Sequence, residues 1–200
     1  MKVFDLSMEL SEKTPYHPGT KKPVITQVAT IAKKGWNEKR LNVSSHFSTH
    51  IDAPFHMLPN GKKLGDFPVG YFIGEAIVIN VKGQEFISPN LDAVRENDIV
   101  FFYTGVTEKI SSAMFKKFPV LTEKTARKLV EKKVKIIGLD SWTPDAEPYE
   151  IHKILMKHDI LIVEDLVNLK PLVGKRFECV ILPLKIKDAD GAPCRVIARL

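Results

Sequence analysis

Cysteine is scarce in this chain: two in 200 residues, Cys179 and Cys194, with no Cys-x-x-Cys spacing. That excludes a disulfide scaffold and a thiolate metal knuckle; both lie in or beside apolar stretches and read as reduced core thiols. Long apolar runs are missing too. Ala76 to Val81 and Ile99 to Tyr103 are far too short to cross a bilayer, and Met1-Lys-Val-Phe-Asp-Leu has no signal-peptide core. The expectation is a cytoplasmic protein with no membrane partner. Glutamine occurs only at Gln27 and Gln84 amid abundant Lys and Glu, a weak compositional lean toward heat-adapted proteins. There is no internal repeat, low-complexity stretch or linker-like gap. With 44% apolar residues the chain can bury a full core, which favours one domain over residues 1–200.

Acidic excess is also absent, and the net charge of +6 invites a nucleic-acid reading. The lysines argue against it. Lys21-Lys22, Lys33-Lys34, Lys62-Lys63, Lys116-Lys117 and Lys132-Lys133 are scattered doublets rather than one stripe, and no base-stacking aromatic motif accompanies them. Solvated faces explain most of them, with mild attraction for an anionic small molecule as the remaining use.

β-Branched runs bounded by Gly, Pro, Asn and Asp predict strands at Val3 to Leu6, Val24 to Ile31, Leu41 to Ser48, Ala76 to Val81 and Ile99 to Tyr103. Four more are expected at Val134 to Leu139, Ile160 to Val163, Cys179 to Ile186 and Arg195 to Ala198. Helices are fewer. Thr122 is placed to cap one over Glu123 to Lys133, a second spans Pro148 to Lys157, and Pro89 to Arg95 reads as a short helical turn. Strands with intervening helices give an α/β or α+β fold.

What is present in excess is histidine, in one place. His46-Phe-Ser-Thr-His50-Ile-Asp52-Ala-Pro54-Phe-His56 holds three of the six histidines and a carboxylate within eleven residues. Neutral imidazoles and a carboxylate suit a borderline divalent ion such as Zn²⁺ or Mn²⁺, and His46, His50 and Asp52 offer three ligands from one segment. A regular strand would leave His46 and His50 about 13 Å apart. A helix is disfavoured by Val43, Ser44, Ser45, Ser48 and Thr49 and is ended by Pro54. The segment should therefore be an irregular strand that curls into a loop.

This segment resembles the His-x-Gly-Thr-His-x-Asp-x-Pro-x-His signature of the cyclase-like metal-dependent hydrolases, the family that includes bacterial kynurenine formamidase and isatin hydrolase. Ser48 stands where that family has glycine, and ordinary backbone is expected there, with the Ser48 hydroxyl free to bond a neighbour. The resemblance extends to His152 and Glu164, twelve residues apart, to Thr14-Pro-Tyr-His17-Pro18-Gly19, to Asp140-Ser141, and to Asp190-Gly191-Ala-Pro193-Cys-Arg195.

The resemblance implies an α/β swivelling β/β/α fold with a barrel-like β core and flanking helices. It implies that His46, His50 and Asp52 hold a divalent ion, Zn or Mn, completed by Glu164, with Asp52 and Glu164 bridging to a second ion on His152 if two are bound. His56 becomes the general acid and base. His17 occupies a place where the formamidase branch carries a substrate-packing tryptophan, making it a substrate-binding candidate. The implied activity is hydrolysis of an amide, an aryl formamide such as N-formylkynurenine or a cyclic amide, in a homodimer or larger homo-oligomer. A cyclase or dehydratase relative, and a non-catalytic metal-stabilised binding protein, are the alternatives. His158 matches no family position and is expected at the surface, and Asp140-Ser141 either supports the ligands or simply forms a turn.

Overall fold

The computed structural model describes residues 1–200. In chain order its strands are β1 (Val3–Asp5), β2 (Val24–Ala29), β3 (Glu38–Asn42), β4 (His50–Asp52), β5 (Ile73–Asn80), β6 (Phe86–Ile87), β7 (Ile99–Tyr103), β8 (Val120–Leu121), β9 (Ile136–Leu139), β10 (Leu161–Glu164), β11 (Arg176–Pro183) and β12 (Gly191–Arg199). The helices are α1 (Ile31–Lys34), α2 (Glu123–Glu131) and α3 (Glu150–Met156).

Seven strands close on themselves in the order β12-β11-β5-β7-β9-β10-β4 and back to β12, giving a mixed barrel. Closure depends on the length of β12. One of its edges is shared: Gly191 to Pro193 pair with β4, while Ile197 to Arg199 pair with β1. The run β5-β7-β9-β10 is parallel, and α2 and α3 make the crossovers into β9 and β10. This is the barrel-like α/β core that the resemblance implied.

The parallel strands are buried on both faces and read as continuous apolar runs for that reason. Ile99, Phe101 and Tyr103 of β7 enter a cluster to which all seven barrel strands contribute, so this cluster fills the barrel. Val100 and Phe102 face a second cluster made with Ala126 and Leu129 of α2 and Ile151 and Leu155 of α3. Gly138 is required at the tight inner point of β9, because a Cβ there would lie 2.7 Å from the Phe101 ring. Thr122 caps α2 as expected, its hydroxyl accepting the Thr125 N–H at 3.2 Å. Cys179 and Cys194 are buried free thiols, and His158 is exposed.

Three expectations are corrected. Residues 89–95 contain a turn at 92–93 and no helix. The strand expected over Val24 to Ile31 stops at Ala29, and Ile31–Lys34 is a single helical turn ending at Gly35 in the left-handed region. The strand expected over Leu41 to Ser48 is displaced: β3 runs Glu38–Asn42 and pairs only with β2, in a two-stranded ribbon. Beyond Asn42 no ladder forms until β4, and polar side chains of the segment bond backbone locally and at Met8. Ser44 Oγ accepts the His46 N–H, Ser48 Oγ donates to the Met8 carbonyl, and Thr49 Oγ1 accepts the Met8 N–H.

Candidate metal centre and cleft

The centre lies outside the barrel, where β4, β10 and β12 meet. Strand alternation decides which side chains reach it. Ile51 of β4 and Leu161 and Val163 of β10 point into the barrel, so His50, Asp52 and Glu164 point the other way. His50 is directly opposite Glu164 in the antiparallel register, and Asp52 is opposite both Ile162 and Gly191. From the far side α3 delivers His152. All four side chains are buried.

His46 reaches this strand-borne group because the chain curls at Ser48, whose φ is +62°. The expectation of ordinary backbone at Ser48 is therefore wrong. The left-handed conformation that glycine adopts freely is what folds His46 back, bringing its ring centroid to 5.1 Å from that of His50. Pro54 opens the short 3-10 turn Pro54–His56, which places the His56 ring 4.0 Å from the His46 ring.

Hydrogen bonds fix the imidazole tautomers. His50 Nδ1 donates to the Ser48 carbonyl at 2.8 Å, which leaves Nε2 as an unprotonated acceptor in the neutral ring. That nitrogen is buried with no hydrogen-bond partner, as is Glu164 Oε1. His50 Nε2 stands 3.3 Å from Asp52 Oδ1 and 3.4 Å from Glu164 Oε2. His152 repeats the pattern: Nδ1 is held by Asp145 Oδ1 at 2.5 Å, and Nε2 faces Glu164 Oε1 at 3.5 Å and Asp52 Oδ2 at 4.0 Å. Two orphaned buried atoms, with two imidazoles locked to present Nε2 to two carboxylates, are what a divalent cation between them would satisfy. The residues fit the group.

His46 stands differently. Nδ1 lies 2.7 Å from Asp52 Oδ1 and Nε2 lies 2.7 Å from Asp190 Oδ2, so both ring nitrogens are engaged by carboxylates. Asp52 thus joins two overlapping groups, one with His50 and Glu164 and one with His46 and His56.

The electrostatics follow from this crowding. Burial opposes charge on His50, His46 and His152, yet the facing carboxylates outweigh it and raise them to about 9, about 10 and about 10. Burial likewise opposes ionisation of Asp52, but His46 and His50 hold its carboxyl below the ordinary range. His56 moves the other way. Burial lowers it, with His46 and His152 adding to that direction, so it is neutral near pH 7. Asp165, next to Glu164, is pushed by burial up to about 7 and has an unpartnered Oδ1.

A cleft of about 270 Å³ opens onto the centre. His46, His50, His56, His152 and Glu164 line its floor, while His17, Trp142, Phe115 and Tyr149 line the wall. His17, from the N-terminal loop, stacks on Trp142 with ring centroids 4.9 Å apart. All seven residues singled out in the sequence thus converge: Asp52 lies beneath the same floor. Sequence reasoning did not single out Asp145, Asp190 or Trp142 for roles. Asp190 sits in the quoted Asp-Gly-x-Pro-x-Arg segment, so a signal existed; Asp145 and Trp142 carry none. Asp140 does not touch the ligands. It accepts the Thr104 and Gly105 backbone N–H groups, which is a turn-closing role.

The Cyclase family model matches residues 4–146. This chain belongs to that family. A kynurenine formamidase of Bacillus cereus is 33% identical over 212 aligned residues, covering 98% of this chain and 96% of the relative. A kynurenine formamidase of Erythrobacter litoralis is 30% identical, covering 99% and 94%. Among solved structures, a potential metal-dependent hydrolase with cyclase activity superposes with TM-score 0.85 at 27% identity, covering 98% of this chain and 96% of that one. Isatin hydrolase A from Labrenzia aggregata superposes with TM-score 0.89 at 22% identity, covering 98% and 93%, and shares the cyclase-family fold.

Proposed function

We propose that this cyclase-family chain is a metal-dependent hydrolase that cleaves a non-peptide carbon–nitrogen bond, in an aryl formamide such as N-formylkynurenine or in a cyclic amide. The observation that carries the reading is the pair of orphaned buried atoms, His50 Nε2 and Glu164 Oε1, at the bottom of an open cleft. The kynurenine formamidase relatives give the substrate class its support.

His50, Asp52 and Glu164, with His46 and His152, would hold one or two divalent ions, Zn or Mn. Carboxylates suit the shared positions, since each has two oxygens to offer where an imidazole nitrogen has one lone pair. A bound ion supplies a water of lowered pKa and polarises the amide carbonyl. The chain's own residues do the rest. His56 is neutral near pH 7 and sits on the cleft floor, so it can take a proton from the attacking water and return it to the departing amine nitrogen. Asp190 Oδ2, 3.5 Å from His56 Nδ1, favours the tautomer that keeps the proton on that side. An ion buried purely for stability would need no such cleft.

A homo-oligomer is part of the reading. The β2–β3 ribbon and its connection leave Val24, Val28, Trp36 and Leu41 exposed, and an isolated two-stranded ribbon is marginal in water without a covering surface. No helix is long and apolar enough to cross a membrane. The buried free thiols accord with a reducing, cytoplasmic setting.

The test is metal analysis of protein purified without added metal, followed by a screen of N-formyl arylamines, isatin-like cyclic amides and lactones, with light scattering for mass. Less than one divalent ion per chain after reconstitution would remove the metal, and with it the mechanism. Hydrolysis of lactones alone would move the reading to esters.

A further inference from the structure

The Trp142 indole N–H is buried and has no acceptor in the protein, although the residue lines the cleft. An unpaired buried donor is destabilising, and the ring is not loosely held. His17 stacks on it at 4.9 Å, Phe118 meets it at 4.7 Å with planes 76° apart, and Phe115 meets it at 5.6 Å with planes 67° apart. His17 is itself fixed. Its Nδ1 accepts the Gly19 N–H at 3.1 Å, and a Cβ on Gly19 would lie 3.0 Å from the imidazole. The neutral imidazole therefore carries its proton on Nε2. Three rings brace an indole whose only polar group is left unsatisfied.

We propose that Trp142 is a specificity-determining residue whose N–H donates to an acceptor oxygen of the substrate, a carboxylate or carbonyl separate from the scissile amide. His17 covers one indole face, so this wall reads a polar acceptor where an uncovered indole would offer a face for stacking an aryl ring. The proposal rests on the hydrolase reading above and narrows its substrate to amides bearing a second oxygen function.

The test compares two substrates that differ only in that function, N-formylaniline and N-formylanthranilate, with the metal-reconstituted full chain. The parent should show a KM about tenfold lower for the carboxylated substrate, the usual worth of a hydrogen bond to a charged acceptor. Trp142→Phe keeps an aromatic ring among His17, Phe115 and Phe118 but has no N–H. It should shrink that KM ratio to near one while changing kcat for both substrates by the same factor. An unchanged ratio in the variant overturns the proposal, as does a parent with no preference. If the parent hydrolyses neither substrate, the hydrolase reading fails separately and binding decides. In Trp36→Phe, Trp142 is the sole tryptophan, and N-formylanthranilate should shift its emission saturably while N-formylaniline does not. Equal or absent shifts sink the proposal.

Discussion

Asp145 Oδ1 lies 2.5 Å from His152 Nδ1, and this contact decides which imidazole nitrogen faces Glu164 and Asp52. The other Asp145 oxygen accepts the Ile151 N–H at 2.7 Å, so one carboxylate both starts α3 and orients the histidine that α3 carries. Replacing Asp145 by Asn should weaken divalent-metal affinity by about 10- to 100-fold, the usual cost of losing such a partner. Metal titration checks this, with the far-ultraviolet dichroism of the metal-free variant as a control for folding. Unchanged affinity would mean that His152 is not a ligand.

His56 should separate chemistry from binding. Its replacement by Ala is expected to leave metal content nearly unchanged and to lower turnover by about 10²- to 10⁴-fold. Because burial lowers its pKa, the acid limb of kcat/KM should fall below pH 6.5 in the parent and vanish in the variant. Loss of the ion in His56→Ala would instead make it a ligand.

Metal-free protein should lose stability as pH rises. His50, His46 and His152 have folded-state values raised above 6.5 to about 9, about 10 and about 10 by their carboxylate neighbours. Groups shifted upward stabilise fully below the unfolded value and lose that contribution as pH climbs through the folded one. Melting temperature without metal should therefore decline between about pH 6.5 and 10. A saturating divalent ion should reverse the trend, since binding releases the same protons. Parallel curves with and without metal would exclude these histidines as ligands.

Ser48 carries a backbone cost and a compensation. A non-glycine residue in the left-handed region costs about 1–2 kcal/mol, while its buried hydroxyl bond to the Met8 carbonyl returns about 0.5–1.5 kcal/mol. Ser48→Gly should thus change stability by no more than about 1.5 kcal/mol. Ser48→Val, which is β-branched and has no donor, should destabilise by more than about 2 kcal/mol in denaturant melts. Equal effects of the two would place the cost elsewhere.

Much of this was legible in the chain, and the gaps have physical causes. Strands buried on both faces announce themselves, and Ile99–Tyr103 lies where its apolar run predicts. Barrel closure was not legible, because β4 is only His-Ile-Asp, a strand held by two neighbours rather than by propensity. The ligand cluster could be read because histidine is rare and was concentrated. The need for a curl between His46 and His50 also followed from strand geometry, but its location at Ser48 was signalled only by the glycine that the family signature has there, a signal that the serine of this chain masks. Asp145 and Trp142 act through contacts set by tertiary packing alone.

Gly191 is the point where the barrel seam and the candidate centre share space. It pairs with Asp52 across the β4–β12 seam, and a Cβ on it would lie 2.8 Å from the Ile51 carbonyl oxygen, 2.9 Å from His46 Cε1 and 3.2 Å from Asp52 Oδ1. The backbone oxygen cannot swing aside without opening the β4 ladder, whereas the His46 ring can move only by leaving its 2.7 Å contacts with Asp52 and Asp190. Overpacking of this kind costs about 1–3 kcal/mol. Gly191→Ala should accordingly lower stability by that amount and weaken metal binding in the same protein. Gly83→Ala is the control for glycine loss as such: it is also strained, at φ +87°, but nothing lies near its Cβ and it is remote from the cleft lining. It should cost stability while leaving metal affinity intact. If Gly191→Ala kept full metal affinity, the crowding of His46 and Asp52 at this seam would have no bearing on the centre.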